Sequence, residues 1–449
     1  MTTDLNKSSP KKQQNANQTM AAPSSPAGRL LRFVSELTGG RSLPSLRWQE
    51  ALAAFKHRNY RLWFAGQLIS LVGTWMQATA LGYLVFELTH SPVYLGYVGF
   101  ASGVPAWLFM LYGGVVADRM SRRTLLVLTQ TVMMILAFIL AALTFTGLIQ
   151  PWHIVLLSLG LGVANAFDAP ARQSFVVEMV GLEDLANAIA LNSSMFNLAT
   201  TTGPAVAGIT YAVVGPAWCF TINGLTFIAV IIALLWMQLS PPPARLRSTA
   251  VLDDLKEGLR YVASNTVIRT LIGTAAVMSF IGMAYVTLMP AWAVKILGGD
   301  AVTNGWLQSA RGLGAFLGAA MIASLGRFNF KGKLLTLGTF TFPCLLLIFA
   351  QVRWLPLSLL ALVGIGWGFM IVFNMANTLL QTVVSNELRG RVVSVYTLNF
   401  FGFMPLGALL AGALAASFGE PMMVRLSALI LLGFAVFLWL WVPRLRALK

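Results

Sequence analysis

The chain has 449 residues, of which 57% are hydrophobic and only 10% are charged. Because soluble domains carry about 25% charged residues, this composition excludes an ordinary water-soluble enzyme or binding module. The formal net charge of +16 would suit a nucleic-acid partner, but it equally suits a membrane protein whose inner loops are basic.

The beginning of the chain differs from the rest. Residues 1–45 are rich in Ser, Pro, Gln and Asn, so we expect a disordered basic tail. Twelve apolar spans follow, and within a bilayer only helices satisfy the backbone hydrogen bonds of such spans. Their expected bounds are 60–86, 92–117, 124–147, 151–172, 188–214, 217–239, 267–297, 304–326, 333–351, 356–381, 391–417 and 422–443.

The spans predict an all-α membrane protein built from two halves. We expect an N-terminal six-helix half over 46–239, a cytoplasmic linker over 240–266 and a C-terminal six-helix half over 267–449. Apolar residues at helical spacing in the linker predict an amphipathic helix on the inner membrane surface, although a solvated helix fits equally well. These residues are Leu252, Leu255, Leu259 and Val262.

Basic residues are concentrated on one side of the predicted spans. With the N-terminus inside, all but four of the 31 Lys and Arg residues fall in the tails or the inner turns. The four are Lys295, Arg311, Arg353 and Arg425. The positive-inside rule then places both termini in the cytoplasm. The charge is thereby explained by topology and by contact with anionic lipid headgroups, so we expect a lipid bilayer as partner and no nucleic acid.

An internal repeat relates the two halves. A shift of 204 residues aligns Gly160, Gly162, Glu183, Gly203 and Gly208 with Gly364, Gly366, Glu387, Gly407 and Gly412. A shift of 209 aligns Gly96, Ala101 and Gly103 with Gly305, Ala310 and Gly312. Parallel duplication of this kind is typical of one class of secondary transporter.

A charged turn joins the second and third spans, where residues 114–123 read GVVADRMSRR. Asp118 ends its helix, where the helix dipole disfavours a negative charge, so it needs a cationic or helix N-terminal partner. The turn resembles the loop motif GxLADRxGRR of the major facilitator superfamily, with Ser121 at the position of a family glycine. The resemblance implies two six-helix halves that alternate access to a central site.

Two further segments, 59–67 (NYRLWFAGQ) and 168–173 (DAPARQ), resemble the bacterial group of this superfamily that includes the enterobactin exporter and many efflux proteins. A third segment, 202–208 (TGPAVAG), resembles part of the superfamily's antiporter motif through Gly203, Pro204 and Gly208, with Ala207 in place of one of its paired glycines. This partial match favours export, and the resemblance identifies no substrate. We expect a monomer in the bacterial inner membrane with a small-molecule substrate.

Polar residues recur every three or four positions along several spans and therefore share one helix face. Such faces are costly against lipid, so each should turn toward a cavity or a neighbouring helix. The resemblance places the first, fourth, seventh and tenth spans around a central cavity. The predicted substrate contacts are Gln67, Thr74, Gln77, Asn165, Tyr285, Gln308, Arg311, Trp367, Met370 and Asn374. For each of them, helix packing is the alternative role.

Arg311 is the only charged residue well inside a predicted span. A charge at that depth costs at least a few kcal/mol unless it is solvated or paired. One interpretation is that the side chain snorkels outward or bonds Asn304 and Gln308 on its own helix. The other is that Arg311 gives the cavity a positive potential, which predicts a preference for anionic or acidic amphipathic solutes.

The inner turns carry a predicted charge cluster that would latch the two halves together. In this hypothesis Asp118 meets the N-terminus of the eleventh helix, near the turn 389–391. The members are Gly114, Asp118, Arg119, Arg122, Arg123, Asp168, Arg172, Arg389 and Arg391. The alternative is that the arginines of the turn only anchor the loop to lipid headgroups.

Groups able to couple transport to protons are scarce. No Asp, Glu or His lies in the middle of a predicted span, which leaves Asp168 and Glu87 as the coupling candidates. Asp168 has a competing role, because Arg172 lies one turn further along and can pair with it. The two cysteines support no metal cluster, and no phosphate-binding Gly-Lys loop is present. We therefore expect no metal or cofactor and no ATP-driven pump.

These patterns favour a secondary transporter that exports an organic, anionic or amphipathic solute, siderophore-like or drug-like, with proton antiport as one form of coupling. Import of a solute and movement of lysophospholipids are alternatives within transport. A membrane sensor or scaffold that transports nothing is an alternative from another class. The polar stripes and the Asp118 turn favour transport, because a scaffold would need neither.

Overall fold

The computed structural model describes residues 52–239, 251–326 and 328–448. All regular structure within these ranges is helical, which confirms the predicted all-α class. The predicted tail over 1–45 and the first part of the linker lie outside the described residues. The remainder of the linker forms a helix over Val251–Ser264, here called the linker helix, whose Leu252 and Leu255 side chains also lie outside the described part.

Ten helices of the described residues are long and apolar enough to cross a membrane. They are labelled in chain order together with two less apolar helices, α5 and α8: α1 Arg58–Thr89, α2 Pro92–Arg119, α3 Arg122–Phe145, α4 Pro151–Val180, α5 Leu185–Val214, α6 Pro216–Trp236, α7 Thr266–Ile296, α8 Ala301–Leu325, α9 Lys331–Gln351, α10 Leu355–Val383, α11 Arg389–Phe418 and α12 Glu420–Trp441. Ten of the twelve predicted spans are thus confirmed, and spanning by α5 and α8 stays a prediction.

Proline and glycine mark the ends of several helices. Pro92, Pro151 and Pro216 occupy the first turn of their helices, where the missing N–H would have no helical partner. Gly215 and Gly419 follow helix ends with φ of 92° and 82°, a conformation that side chains other than glycine rarely adopt. The predicted end of α4 at 172 is wrong, because the helix continues to Val180.

Glycines bring the two halves into contact along α2–α11 and α5–α8. A Cβ on Gly412 would lie 2.6 Å from the Pro92 carbonyl oxygen and 3.0 Å from the Gly96 Cα. A Cβ on Gly305 would lie 2.5 Å from the Pro204 carbonyl oxygen and 3.2 Å from the Gly208 Cα. The repeat aligns Gly96 with Gly305 and Gly208 with Gly412. The two contacts are therefore equivalent in the two halves, and they explain why α8 is rich in small residues.

The side of the protein that is predicted to face outward is closed. Phe86 of α1 packs in one apolar cluster with Ala301 of α8 and Ala291 of α7. The Lys295 ammonium lies 5.4 Å from the centre of the Phe86 ring and 2.9 Å from Glu420 of α12. These contacts join both halves at their predicted outer ends, where the glycine contacts also lie.

Helix α7 is irregular along its length. Two π-helical turns, Met278–Gly282 and Trp292–Ile296, interrupt its α-helical hydrogen bonding. In the first turn the Ser279 hydroxyl donates to the carbonyl oxygen of Phe400 on α11. Because π turns are frequent at functional sites, the irregularity of α7 is consistent with its predicted place beside the central cavity.

The start of α1 is fixed to α5 by charged groups outside the membrane spans. Lys56 Nζ and His57 Nε2 each lie 2.7 Å from the Asp184 carboxylate. The hydrogen bond from Lys56, with His57 beside it, lowers the pKa of Asp184, and Asp184 raises the pKa of Lys56. The contact therefore stabilises the fold above the unfolded pKa of the carboxyl and below that of the amine, and weakens as the pH passes either folded pKa.

Candidate functional site

The predicted stripe on α1 mainly serves packing within the N-terminal half. Gln77 is buried, and its Oε1 accepts a 2.7 Å hydrogen bond from Asn223 of α6. Thr74 donates to the Ser70 carbonyl oxygen of its own helix. Gln67 differs, because it is buried and its Oε1 has no hydrogen-bond partner among the described residues. Of the three predicted contacts on α1, Gln67 is the one whose buried side-chain oxygen has no partner among the described residues.

Asn165 of α4 is exposed, and its amide donates to the Leu161 carbonyl oxygen one turn earlier. Ser158, further along the same predicted stripe, donates in the same way to Ile154. Hydrogen bonds of this local kind satisfy a polar side chain without a second helix. The exposed amide of Asn165 keeps the ability to contact a solute.

The polar stripe on α8 contains several buried polar atoms that have no hydrogen-bond partner among the described residues. Asn304 is fully buried, and neither amide atom has a hydrogen-bond partner among the described residues. Gln308 and Arg311 are partly buried, and the buried Nε of Arg311 is likewise without a partner there. The described residues show no ion pair to Arg311. Unsatisfied buried polar groups of this kind need water, an ion or a ligand.

Two helices of the C-terminal half flank α8 near Arg311. Tyr285 of α7 is buried and lies within electrostatic range of Arg311, and no hydrogen bond joins the two among the described residues. The α8 backbone at Arg311 packs directly on Gly366 of α10. These two predicted substrate residues, Tyr285 and Arg311, therefore lie in the same region of the C-terminal half without a direct contact.

On α10, Trp367 and Met370 are used mainly for packing. A Cβ on Gly318 of α8 would lie 3.0 Å from the Trp367 carbonyl oxygen and 3.2 Å from the Met370 Cβ. Both side chains are partly buried, as is Asn374 one turn below. These positions therefore hold α8 against α10, and they leave part of each side chain accessible.

The arginines of the α2–α3 turn bind within the N-terminal half. Arg122 Nη1 lies 2.8 Å from the Glu178 carboxylate and 2.7 Å from the Ser174 carbonyl oxygen, both on α4. Arg123 donates to the carbonyl oxygens at the end of α6, at 2.6 Å to Leu235. These contacts fix the turn to its own half. Arg119 is exposed, Gly114 has open space around its Cα, and the Asp118 side chain lies outside the described part.

Asp168 and Arg391 have separate partners, whereas the buried Nε of Arg389 has no hydrogen-bond partner among the described residues. The Asp168 carboxylate is 1% exposed and accepts hydrogen bonds of 2.9 Å from Thr129 and Gln130 of α3, with Arg172 Nε at 3.6 Å. Arg391 forms a 2.7 Å ion pair with Glu257 of the linker helix. The described members of the predicted latch are therefore divided between the two halves in this conformation, and the latch stays a prediction for a state closed on the inner side.

Replacing Asp118 by asparagine should shift the protein toward the state described here. The carboxylate would attract the α11 N-terminus only when the inner side closes, so Asp118→Asn should slow transport and leave the fold intact. A cysteine in place of the exposed Gln381, in a Cys344→Ser background, reports inner-side accessibility. We expect severalfold faster labelling from the cytoplasmic side, with Glu183→Gln, an exposed acid on the same side, as control. Unchanged labelling in Asp118→Asn would refute the latch.

The two predicted coupling acids occupy different environments. Glu87 is exposed near the outer end of α1 and accepts a hydrogen bond from the Tyr211 hydroxyl of α5. Asp168 is buried among donors of α3. Both therefore join helices of the N-terminal half, and their role in proton coupling stays a prediction.

Several partners of the predicted residues carried no sequence signal. Glu178, Glu257 and Asn223 lie far along the chain from Arg122, Arg391 and Gln77, to which they bind. Glu178 lies beyond the predicted end of α4 at 172, in the part of the helix that only the structure revealed. Such pairs depend on how the helices pack, which spacing along one helix does not determine.

A family model described as "Transmembrane secretion effector" matches residues 49–449. The chain belongs to this family. Its helical fold and its family are those of major facilitator transporters, so this member is a multi-pass membrane protein of the transporter class and not an enzyme. The family match covers all of the described residues.

Proteins of similar sequence include one named as a transporter and others named for efflux or export. The chain is 24% identical to the staphyloferrin A transporter of Staphylococcus aureus, over 80% of this chain and 90% of that protein. It is 27% identical to the multidrug efflux pump Tap of Mycolicibacterium fortuitum, over 84% and 93%. It is 26% identical to the enterobactin exporter EntS of Shigella flexneri, over 90% and 96%.

Solved structures confirm the fold of this family member. The nucleoside transporter NupG matches with a TM-score of 0.66 and 16% identity, over 87% of this chain and all of that chain (100%). A bacterial homologue of the human lysosomal transporter Spinster, in an inward-facing and unoccupied conformation, matches with a TM-score of 0.64 and 15% identity, over 87% and 98%. At these identities the similarity concerns the fold alone.

Proposed function

We propose that this transporter exports an organic solute that is anionic, or amphipathic with an anionic group, by alternating access between its two halves. The observation that carries the proposal is Arg311, a partly buried guanidinium with an unpartnered Nε and no ion pair among the described residues. The names of the relatives support export as the direction.

The charge of Arg311 favours an anion for physical reasons. An uncompensated charge inside a membrane span costs at least a few kcal/mol, and a bound anion would offset this cost. Guanidinium binds carboxylate, catecholate or phosphate oxygens in a bidentate manner, which lysine does less well. Asn304 and Gln308 on the same face supply further polar groups. Siderophore-like acids and acidic drugs have this chemistry.

The topology of the proposed exporter follows from its basic residues. We place both termini in the cytoplasm, the linker helix on the inner surface and the α1–α7 contact at Phe86 on the outer side. Proton antiport is the coupling that we propose, with Asp168 and Glu87 as its candidate acids, and a monomer is the expected functional unit. Import, lysophospholipid movement and a sensor role are the competing functions.

Transport by the purified protein in proteoliposomes tests this function. A panel of fluorescent anionic and cationic compounds of similar size is presented on the predicted cytoplasmic side, with and without a proton gradient. We expect movement of anionic compounds toward the outer side, and loss of that movement when the gradient is collapsed. Preference for cationic compounds would contradict the substrate class, net import would contradict the direction, and no movement of any compound would favour the sensor role.

A further inference from the structure

A crevice of about 160 Å³ lies between α2, α11 and the linker helix, apart from the Arg311 region. Its lining residues are Trp107, Leu259, Val395, Leu398, Asn399, Gly402, Phe403 and Leu406. None of them belongs to the predicted substrate stripes. We propose that this crevice binds the apolar segment of an anionic amphipath that reaches the protein from the inner leaflet of the membrane.

Two glycines, Gly402 in the crevice and Gly258 beside it, let the surrounding helices approach closely. A Cβ on Gly402 of α11 would lie 2.5 Å from the indole Cδ1 of Trp107, so glycine lets α2 and α11 approach around the ring. A Cβ on Gly258 would lie 3.2 Å from the Arg391 carbonyl oxygen and 3.2 Å from Val395 Cγ2. The linker helix therefore lies directly on α11 and closes one end of the crevice.

The crevice is apolar and open on one side. Trp107, Leu259 and Phe403 are 47%, 50% and 39% exposed, so their apolar surfaces are available to a ligand. The amide of Asn399 donates to the Ile272 carbonyl oxygen at 2.9 Å and is already occupied. Apolar cavities of about 150 Å³ bind a benzene molecule. The crevice therefore suits one ring or a short alkyl segment, and not a complete solute.

Charge beside the crevice determines which amphipath fits. Lys256 and Arg260 lie within one turn of Leu259 on the linker helix and line a second cavity of about 610 Å³ with Glu257, Tyr261, Ser264 and Leu388. Arg391 lies one turn below Val395 on α11. A molecule whose apolar part enters the crevice would thus place its polar end beside three cationic groups and one acid, Glu257, which is paired with Arg391. The excess of positive charge favours an anionic end.

The binding site deepens the proposed function, because it gives an anionic substrate a position of first contact on the inner side. It rests on that proposal only for the direction of movement, since binding itself needs no transport. The ligand reaches the crevice sideways from the lipid, through the exposed faces of Trp107 and Phe403. Compounds without an apolar segment should not bind in the crevice.

Photo-cross-linking measures this binding directly. The full-length protein is placed in vesicles of phosphatidylglycerol and phosphatidylethanolamine with a fatty acid that carries a diazirine at its tail, and labelled peptides are mapped by mass spectrometry. We expect labels at Trp107 and residues 398–406, and competition by an unlabelled fatty acid. An alkylammonium of equal length, with the same diazirine, should label these residues about tenfold less.

Two variants at Leu259 test the space in the crevice and the charge beside it separately. Leu259→Trp should occupy the space and lower labelling by the fatty acid about tenfold, whereas Leu360→Trp, at a 67% exposed leucine of α10, should leave it unchanged. Leu259→Glu should reduce labelling by the fatty acid and spare the alkylammonium. Equal labelling by both compounds, or labels spread evenly over all exposed apolar helix faces, would overturn the proposal. Neither result would affect the proposed exporter activity, which is measured separately.

Discussion

Replacing Arg311 by alanine should lower the transport of anionic solutes at least about tenfold, because hydrogen bonds to charged groups contribute about 1.5–3 kcal/mol. Arg311→Lys should retain part of the activity, since lysine keeps the charge and loses the bidentate geometry. The measurement is the initial rate of export for matched anionic and cationic compounds in proteoliposomes. Transport of cationic compounds should fall less or rise.

The control for this prediction is Arg353→Ala, another arginine of the C-terminal half. Its guanidinium lies 5.7 Å from the Trp292 ring on the predicted outer side and donates to the carbonyl oxygens of Ala350 and Val352. This variant should keep the preference for anions. If Arg311→Ala is folded and exports anionic solutes at the full rate, Arg311 has only a structural role and the snorkelling interpretation is correct.

Replacing Gly305 by leucine should abolish transport by preventing closure of the outer side. Even the Cβ would lie 2.5 Å from the Pro204 carbonyl oxygen, a distance that Cβ atoms essentially never adopt, and backbone atoms of α5 cannot move aside as a side chain can. Overpacking of this kind typically costs about 1–3 kcal/mol. The protein should relieve the clash by separating α5 from α8, which opens the outer side.

Accessibility of the outer surface tests the Gly305 prediction. A cysteine at Val302, which contacts Gly208 in the closed state, should react rapidly with an impermeant reagent in Gly305→Leu and slowly in the parent protein. Gly96→Leu, the equivalent change in the other half, should act in the same way. Gly433→Leu on α12, where a Cβ meets no atom within 4 Å, should leave both labelling and transport unchanged. Slow labelling in Gly305→Leu with retained transport would contradict the seal.

The polar residues of α1 recur every three to four positions. This period places Gln67, Thr74 and Gln77 near one face of the helix, but such a face can turn equally well toward a cavity or toward a neighbouring helix. The structure shows Gln77 bonded to Asn223 of α6, which is helix packing. The periodicity of one helix does not depend on which helix packs against it. The sequence of α1 therefore could not decide whether Gln77 contacts a solute or another helix.

The same limit applies to the charged turn. The sequence indicated that Asp118 needs a cationic or helix N-terminal partner, and it grouped the arginines of the turn and of α11 with Asp118 in one cluster. It did not predict the partners that the structure shows, which are Glu178 for Arg122 and Glu257 for Arg391. Ion pairs between distant segments depend on how the helices cross and on where each helix ends. The continuation of α4 to Val180, which brings Glu178 to Arg122, is one example.

By itself, the sequence determined the all-α membrane class and the positions of ten spans, apart from the end of α4. The bilayer makes this possible because it imposes length, apolarity and helical hydrogen bonding on each span separately. The sequence also identified the glycines that the repeat aligns. Only the tertiary structure showed that Gly96 meets Gly412 and that Gly305 meets Gly208. It also showed that the buried Nε of Arg311 has no partner among the described residues. The reason is that close packing and charge pairing act between helices, whereas hydropathy acts on each helix alone.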